Sequence, residues 1–138
     1  MTLTVFMPKI IGKARPRVTV HGTYTPKPTR DAEELIRREA ETIGITPEPA
    51  DVPLRLSVTA VFPVAQSWTK TKKRLAYCGA IPICKPDADN ILKLVADALN
   101  GVAYEDDKQI AEMCCVKRYV RSERDQSRLE ITITDISP

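Results

Sequence analysis

The residues of this chain that could do chemistry crowd into one stretch, residues 85–107. It reads KPDADNILKLVADALNGVAYEDD and places five aspartates and one glutamate around a central lysine, Lys93. Carboxylates this close repel one another unless a cation or a network of hydrogen bonds offsets the repulsion. The stretch therefore indicates either a metal site that faces phosphate or a set of helix caps and surface ion pairs.

One short helix is predicted inside this stretch. It begins near Asp89 or Asn90 and stops at Asn100 and Gly101, a common helix end. Asp89, Lys93 and Asp97 share one face at i, i+4 and i+8. A helix cap or an ion-pair ladder explains any single acid. It does not explain the whole set, because two aspartates stand before the helix and three acids follow it. The apolar stripe predicted for the helix is Leu92, Val95, Ala96 and Leu99.

The second group of acids must turn back to reach the first. A helix of about twelve residues is about 18 Å long, so Asp107 meets Asp89 only if the chain reverses. Gly101 permits this reversal, and we expect residues 102–104 to run antiparallel to the helix.

Of two other acidic motifs, the calcium-binding loop fails and the phosphatase motif is a weak alternative. A calcium-binding loop that begins at Asp87 would need Gly at position 92 and Glu at position 98, where the chain has Leu92 and Ala98. A phosphatase-type DxD nucleophile would directly follow a buried apolar strand, whereas Lys85 and Pro86 intervene here. The phosphatase motif is therefore a weak alternative.

The charge of the chain is unevenly distributed. Residues 1–85 carry fourteen Lys or Arg against seven Asp or Glu, and residues 86–138 carry seven against eleven. A basic half beside an acidic site suits a polyanionic partner with bound cations, although a mixed soluble surface explains the composition equally well. With 138 residues, 43% of them hydrophobic, we expect a single domain, residues 1–138.

The cysteines argue against a zinc site. They stand at positions 78, 84, 114 and 115 without a CxxC pair, and the single histidine, His21, is distant in sequence. No signal-like start and no long apolar run appear, so we expect free thiols, a cytoplasmic protein and no membrane partner. Cys114 and Cys115 are predicted core residues on opposite faces of a strand.

Hydrophobic patterns predict the remaining elements. Strands are expected at residues 2–7, 17–21, 54–64, 110–120 and 129–136, and a helix at residues 29–43 with Thr29 as N-cap. The second strand should pair with the first, and the last two should form a hairpin. Residues 66–74 (QSWTKTKKR) indicate a solvated helix anchored by Trp68 or a nucleic-acid surface. The predicted class is α+β, a single domain with a mixed or antiparallel sheet of four to five strands and two to three helices.

The stretch KPDADNILKLVADALNGVAYEDDKQI resembles the RusA-type Holliday junction resolvases, small dimeric endonucleases common in prophages. That family shows Lys-Pro-Asp-x-Asp-Asn, a lysine three residues later, Asp-x-Leu-Asn-Gly and Asp-Asp-x-Gln, and all of these occur here. The upstream KARPRV and Tyr24-Thr25-Pro26 are also similar to the family's N-terminal half. The resemblance covers most of the chain, loosely outside the acidic stretch.

The resemblance implies an endodeoxyribonuclease that depends on Mg²⁺, with Mn²⁺ as a substitute. It would resolve four-way junctions by paired symmetric nicks in DNA recombination and repair, as a homodimer on branched DNA. The implied catalytic residues are Asp87, Asp89, Lys93 and Asp107, and the implied metal ligands are Asp87, Asp89 and Asp107, with Asp106 as the alternative to Asp107. The residues then expected to hold the DNA backbone are Lys9, Lys13, Arg15, Arg17, Lys70, Lys72, Lys73 and Arg74.

Two alternatives stay open beside this implication. One is a protein that binds junctions or DNA without cutting them. The other is a metal-dependent nuclease that acts on other branched nucleic acids.

Overall fold

The computed structural model describes all 138 residues. The strands are β1 (Thr2–Phe6), β2 (Arg17–Thr19), β3 (Gly22–Tyr24), β4 (Leu54–Phe62), β5 (Ile110–Tyr119) and β6 (Arg128–Asp135). The helices are α1 (Lys27–Thr42), α2 (Lys70–Tyr77) and α3 (Ala88–Leu99), and a 3₁₀ turn spans Asp107–Gln109. The α+β class is confirmed.

A mixed four-stranded sheet in the order β1-β6-β4-β5 supports the site. Strand β4 runs parallel to β5 and antiparallel to β6, which in turn runs antiparallel to β1. Alternate residues of β4, such as Leu54, Leu56 and Val58, are buried on the face that α1 and α3 cover. Strands β2 and β3 form a separate hairpin whose residues are all exposed.

Helix α3 is buried more broadly than its predicted stripe. Ile91, Leu94 and Ala98 are fully buried beside the predicted core residues, whereas Leu92 is only half-buried. The reason is that α3 contacts both α1 and the strands β4 and β5. A helix held from two sides buries more than one narrow stripe.

Two predicted strand pairings are wrong. Strand β2 pairs with β3 rather than β1, and β5 does not form a hairpin with β6, because β4 lies between them. Alternating polarity determines which face a residue occupies but not which strand lies beside it.

The predicted helix start and the predicted burial of the cysteines are also corrected. Helix α1 begins at Lys27, and the buried Thr29 accepts a hydrogen bond from the Ala14 amide instead of capping the helix. Cys114 is exposed and Cys115 half-buried, because β5 is an edge strand. No helix is both long and apolar enough to cross a membrane.

Candidate functional site

The first acidic pair stands at the beginning of α3. Asp87 occupies the N-cap position, where its carbonyl accepts the Ile91 amide at 3.1 Å, but its side chain makes no capping bond. Asp89 follows in the first turn, and both residues are exposed. Neither carboxylate takes part in an ion pair. Both therefore remain available to a ligand, and capping does not account for either side chain.

The second acidic pair divides into one structural and one free carboxylate. Asp106 caps the 3₁₀ turn by accepting the Lys108 amide at 2.9 Å, while its own amide donates to the Gln109 side chain at 3.0 Å. The amide group of Gln109 is buried and donates to the carbonyls of Pro49 and Val52 at 2.7 and 3.1 Å. These bonds fix the turn and leave the neighbouring carboxylate, that of Asp107, without a structural partner.

The chain turns after α3 at Gly101, the residue predicted to permit a reversal, but residues 101–103 form a turn rather than a segment antiparallel to the helix. Gly101 adopts a φ of +78°, and its amide donates to the carbonyl of Tyr104 at 2.8 Å. The buried Tyr104 hydroxyl donates to the carbonyl of Ala96 at 2.5 Å and so ties the returning segment to the helix. Burial, followed by the charges of Asp107 and Asp97, raises the pKa of this tyrosine well above its ordinary value. The contact of its hydroxyl holds Tyr104, three residues before Asp107, against the second half of α3.

The reversal does not assemble a complete metal site within one chain. No three carboxylate, imidazole or thiol groups converge closely enough to hold a metal ion together. Asp87 and Asp89 lie at the start of α3, whereas Asp107 begins the 3₁₀ turn that follows the helix and its connecting turn. The donor chemistry still fits Mg²⁺, which prefers carboxylate oxygens and is often held by only one or two of them, with waters and substrate phosphates completing its shell.

Asp97 is the centre of an ion-pair cluster. Its carboxylate lies 3.0 Å from the ammonium of Lys93 and 3.1 Å from that of Lys13, and Lys13 also binds Glu33 on α1. Burial alone would lower the pKa of Lys13, but its bonds to Glu33 and Asp97 outweigh this effect and raise it. The predicted ladder therefore exists between Lys93 and Asp97 but does not extend to Asp89.

A basic groove of about 620 Å³ contains Asp87 among its lining residues. The backbone of its floor packs closely, since the Lys13 amide donates to the Asn90 carbonyl at 2.9 Å. A Cβ added at Gly12 would lie only 2.6 Å from that of Pro86. The cationic residues that line the groove are Lys9, Lys13, Arg15, Arg17 and Lys85.

The basic residues predicted to bind DNA lie in two separate regions, the groove and α2. Lys9, Arg15 and Arg17 line the groove with free charges, whereas Lys13 is occupied by its two carboxylates. The other four lie on or at the start of α2, where Lys72 stacks 3.9 Å above the ring of Trp68. They are Lys70, Lys72, Lys73 and Arg74. Trp68 itself packs edge-on against Tyr119.

Three residues gain a role that the sequence prediction missed. Lys85 and Asn90 line the groove beside Asp87, and Gln109 holds the turn that carries Asp107. Lys85 stands two residues before Asp87 and Gln109 two residues after Asp107, so their positions beside these acids were the available signal. The partners of Gln109 lie in a loop near residue 50, which local spacing does not reveal.

Comparison with known proteins identifies the family. The chain is 37% identical over 98 residues to the Bacillus subtilis protein described as "Uncharacterized protein YqaN". The aligned region is 70% of this chain but 63% of that relative, so less than two thirds of the relative's length is covered. Residues 8–134 match the family model described as "Endodeoxyribonuclease RusA". The acidic stretch and the basic groove both lie inside the matched region, and the chain belongs to the RusA endodeoxyribonuclease family.

Proposed function

We propose that this protein is a Mg²⁺-dependent endodeoxyribonuclease that resolves four-way DNA junctions by paired symmetric nicks. The observation that carries this proposal is the placement of Asp87, which lines a cationic groove with a carboxylate free of capping bonds and ion pairs. A structural aspartate at a helix start would be occupied by the amides it caps. Membership of the RusA family supplies the class of substrate.

Asp87, Asp89 and Asp107 remain the proposed acidic residues of the metal site; because the three do not converge within one chain, Mg²⁺ would be held by one or two of them together with waters and substrate phosphate. Asp107 is preferred to Asp106 because the carboxylate of Asp106 is already bonded to the Lys108 amide. When bound, Mg²⁺ would supply charge neutralisation at the scissile phosphate and an acidified water. Mn²⁺, which also accepts oxygen ligands, is the proposed substitute.

Lys93 is the proposed cationic partner of the reacting phosphate. Its side chain is 58% exposed, the residue lies one helical turn beyond Asp89, and its ammonium lies 3.0 Å from the carboxylate of Asp97. This pairing positions a protonated amine on the same helix face as Asp89. Such a group stabilises the additional negative charge that a phosphodiester acquires during hydrolysis.

The groove is the proposed path of one DNA strand toward the carboxylates. Lys9, Arg15, Arg17 and Lys85 line this groove without forming an ion pair with an acidic side chain. Cations in this arrangement bind phosphates and make the affinity depend on salt. The exposed cations of α2 are proposed to contact a second arm of the junction. A homodimer with two-fold symmetry would present two such sites to the two equivalent strands.

The test is cleavage of a synthetic four-way junction with Mg²⁺, with Mn²⁺ and with a chelator. The proposal predicts paired nicks with either ion and intact junction with chelator. Flap, plain duplex and branched RNA competitors distinguish junction resolution from a nuclease of other branched nucleic acids. Binding of the junction without any metal-dependent product would instead identify a protein that binds junctions without cutting them.

A further inference from the structure

The β2–β3 hairpin carries an apolar side chain at its tip that the fold does not use. All residues of the two strands are exposed, and the strands pack chiefly against each other. Val18 on β2 is 81% exposed, and Val20 in the turn is 96% exposed; neither belongs to the hydrophobic core. Tight turns favour Gly, Asn, Asp and Ser rather than a β-branched residue. Neither core packing nor turn chemistry therefore accounts for Val20.

The tip of the hairpin is held by its own hydrogen bonds. The Thr19 hydroxyl donates to the Gly22 carbonyl at 3.1 Å and accepts the His21 amide at 3.2 Å. Gly22 completes the turn with a φ of +118°, which residues with a side chain rarely adopt. Because the turn is formed in advance, a contact at the tip costs little conformational entropy. Val20 is thus presented on a preformed tip.

Both ends of the hairpin adjoin the basic groove that contains Asp87. Arg17 is the first residue of β2, and Pro26 follows the end of β3 by two residues; both line the groove. Val20 stands three residues beyond Arg17, which corresponds to about 10 Å of extended chain. A polyanion whose phosphates occupy the groove is therefore within reach of the tip.

Charge and polarity indicate which part of a nucleic acid the tip would contact. The groove cations Lys9, Arg15 and Arg17 can bind phosphates, whereas a valine side chain cannot. The apolar surfaces of DNA are the faces of its bases, and in a continuous duplex neighbouring base pairs cover them. At the branch point of a four-way junction this stacking is interrupted. Base faces are therefore accessible there to an inserted apolar side chain.

We propose that Val20 inserts against the base faces at the branch point while the groove holds the adjoining strand. The inference rests on the proposed function and adds the means by which a junction is distinguished from plain duplex. Cations that contact phosphates bind any DNA, so the groove contributes to both substrates alike. The tip favours the junction, because insertion into a continuous duplex must first unstack a base pair.

Binding of the junction and of plain duplex, both measured with chelator, tests the inference without cleavage. Val20→Ser should weaken junction binding about tenfold, the factor expected for the burial of one valine side chain. Its duplex binding and the salt dependence of that binding should not change. Val20→Leu, which keeps an apolar tip, should retain the preference for the junction. Ile43→Ser removes another exposed apolar side chain, at the opposite end of α1 from the groove, and should bind both substrates like the native chain.

A fluorescent base provides the second measurement. 2-Aminopurine, whose emission is quenched by stacking, is placed either at the branch point or within one arm of the junction. The native chain should raise the emission at the branch point only, and Val20→Ser should raise neither. If Val20→Ser keeps the native preference for the junction or the native emission, as it would if the tip served another protein, the inference is overturned. A native chain that binds no junction would instead overturn the proposed function, and the inference with it.

Discussion

Replacing Gln109 with leucine tests how the turn before Asp107 is held. The side chain of Gln109 is 6% exposed and makes three hydrogen bonds, one from the Asp106 amide and one each to the carbonyls of Pro49 and Val52. Leucine has a similar volume and keeps the apolar contacts. The substitution therefore removes the hydrogen bonds with little change in packing.

The expected loss of stability follows from the groups left without partners. The Pro49 carbonyl keeps the bond that it accepts from the Val52 amide, so the Asp106 amide and the Val52 carbonyl become unpaired. A buried polar group that loses its partner costs about 1 to 3 kcal/mol, and partial access of water places the sum here at about 2 to 3 kcal/mol. That is a large part of a typical domain stability of about 5 to 15 kcal/mol.

Urea unfolding followed by the fluorescence of Trp68, the single tryptophan, measures this loss. Gln126→Leu is the matched control, because Gln126 is exposed and its side chain makes no hydrogen bond; its stability should change by no more than about 0.5 kcal/mol. If Gln109→Leu unfolds at the same urea concentration as the native chain, the three bonds do not hold the turn and the reasoning is refuted.

Three further predictions concern the segments around the site. Tyr104→Phe should lower the free energy of unfolding by about 1 kcal/mol at neutral pH, because it removes the hydrogen bond to the Ala96 carbonyl. Because burial raises the pKa of Tyr104, the native chain should lose stability as the pH rises above about 10, and unfolding titrations should show a smaller loss for the variant. Lys85→Ala should weaken junction binding and lower the slope of log affinity against log salt by about 0.9, whereas Arg38→Ala, on the exposed face of α1, should leave the slope unchanged. Gly12→Ala should lower both melting temperature and DNA affinity, since its Cβ would lie 2.6 Å from that of Pro86.

The structural features that were best predicted from the sequence are those controlled by local signals. Helix α3 ends at Leu99, directly before the predicted stop at Asn100 and Gly101, because a glycine with positive φ ends a helix irrespective of distant contacts. The main strands were also located within a few residues, since alternating burial is a local pattern. Strand order was not predicted, because no local signal states that β4 separates β5 from β6.

The individual roles of the acids required the fold. Asp106 and Asp107 are adjacent and chemically identical in sequence, and only the capping bond to the Lys108 amide distinguishes them. The sequence does not distinguish Lys13 from the other cations of the groove, because its partners Glu33 and Asp97 are brought to it only by the packing of α1 and α3. Contacts between distant segments decide which charges remain free for a ligand.

Cleavage of a four-way junction by Asp89→Asn decides whether the acidic residues at the start of α3 catalyse hydrolysis. The substitution removes a charge from an exposed side chain that has no ion-pair partner, so folding and junction binding should persist. Asp51→Asn, another exposed aspartate without an ion pair, is the matched control. Asp89→Asn should bind the junction without cutting it in Mg²⁺, while Asp51→Asn should cut at the native rate. If Asp89→Asn cuts at the rate of the native chain, Asp89 is not part of the catalytic site.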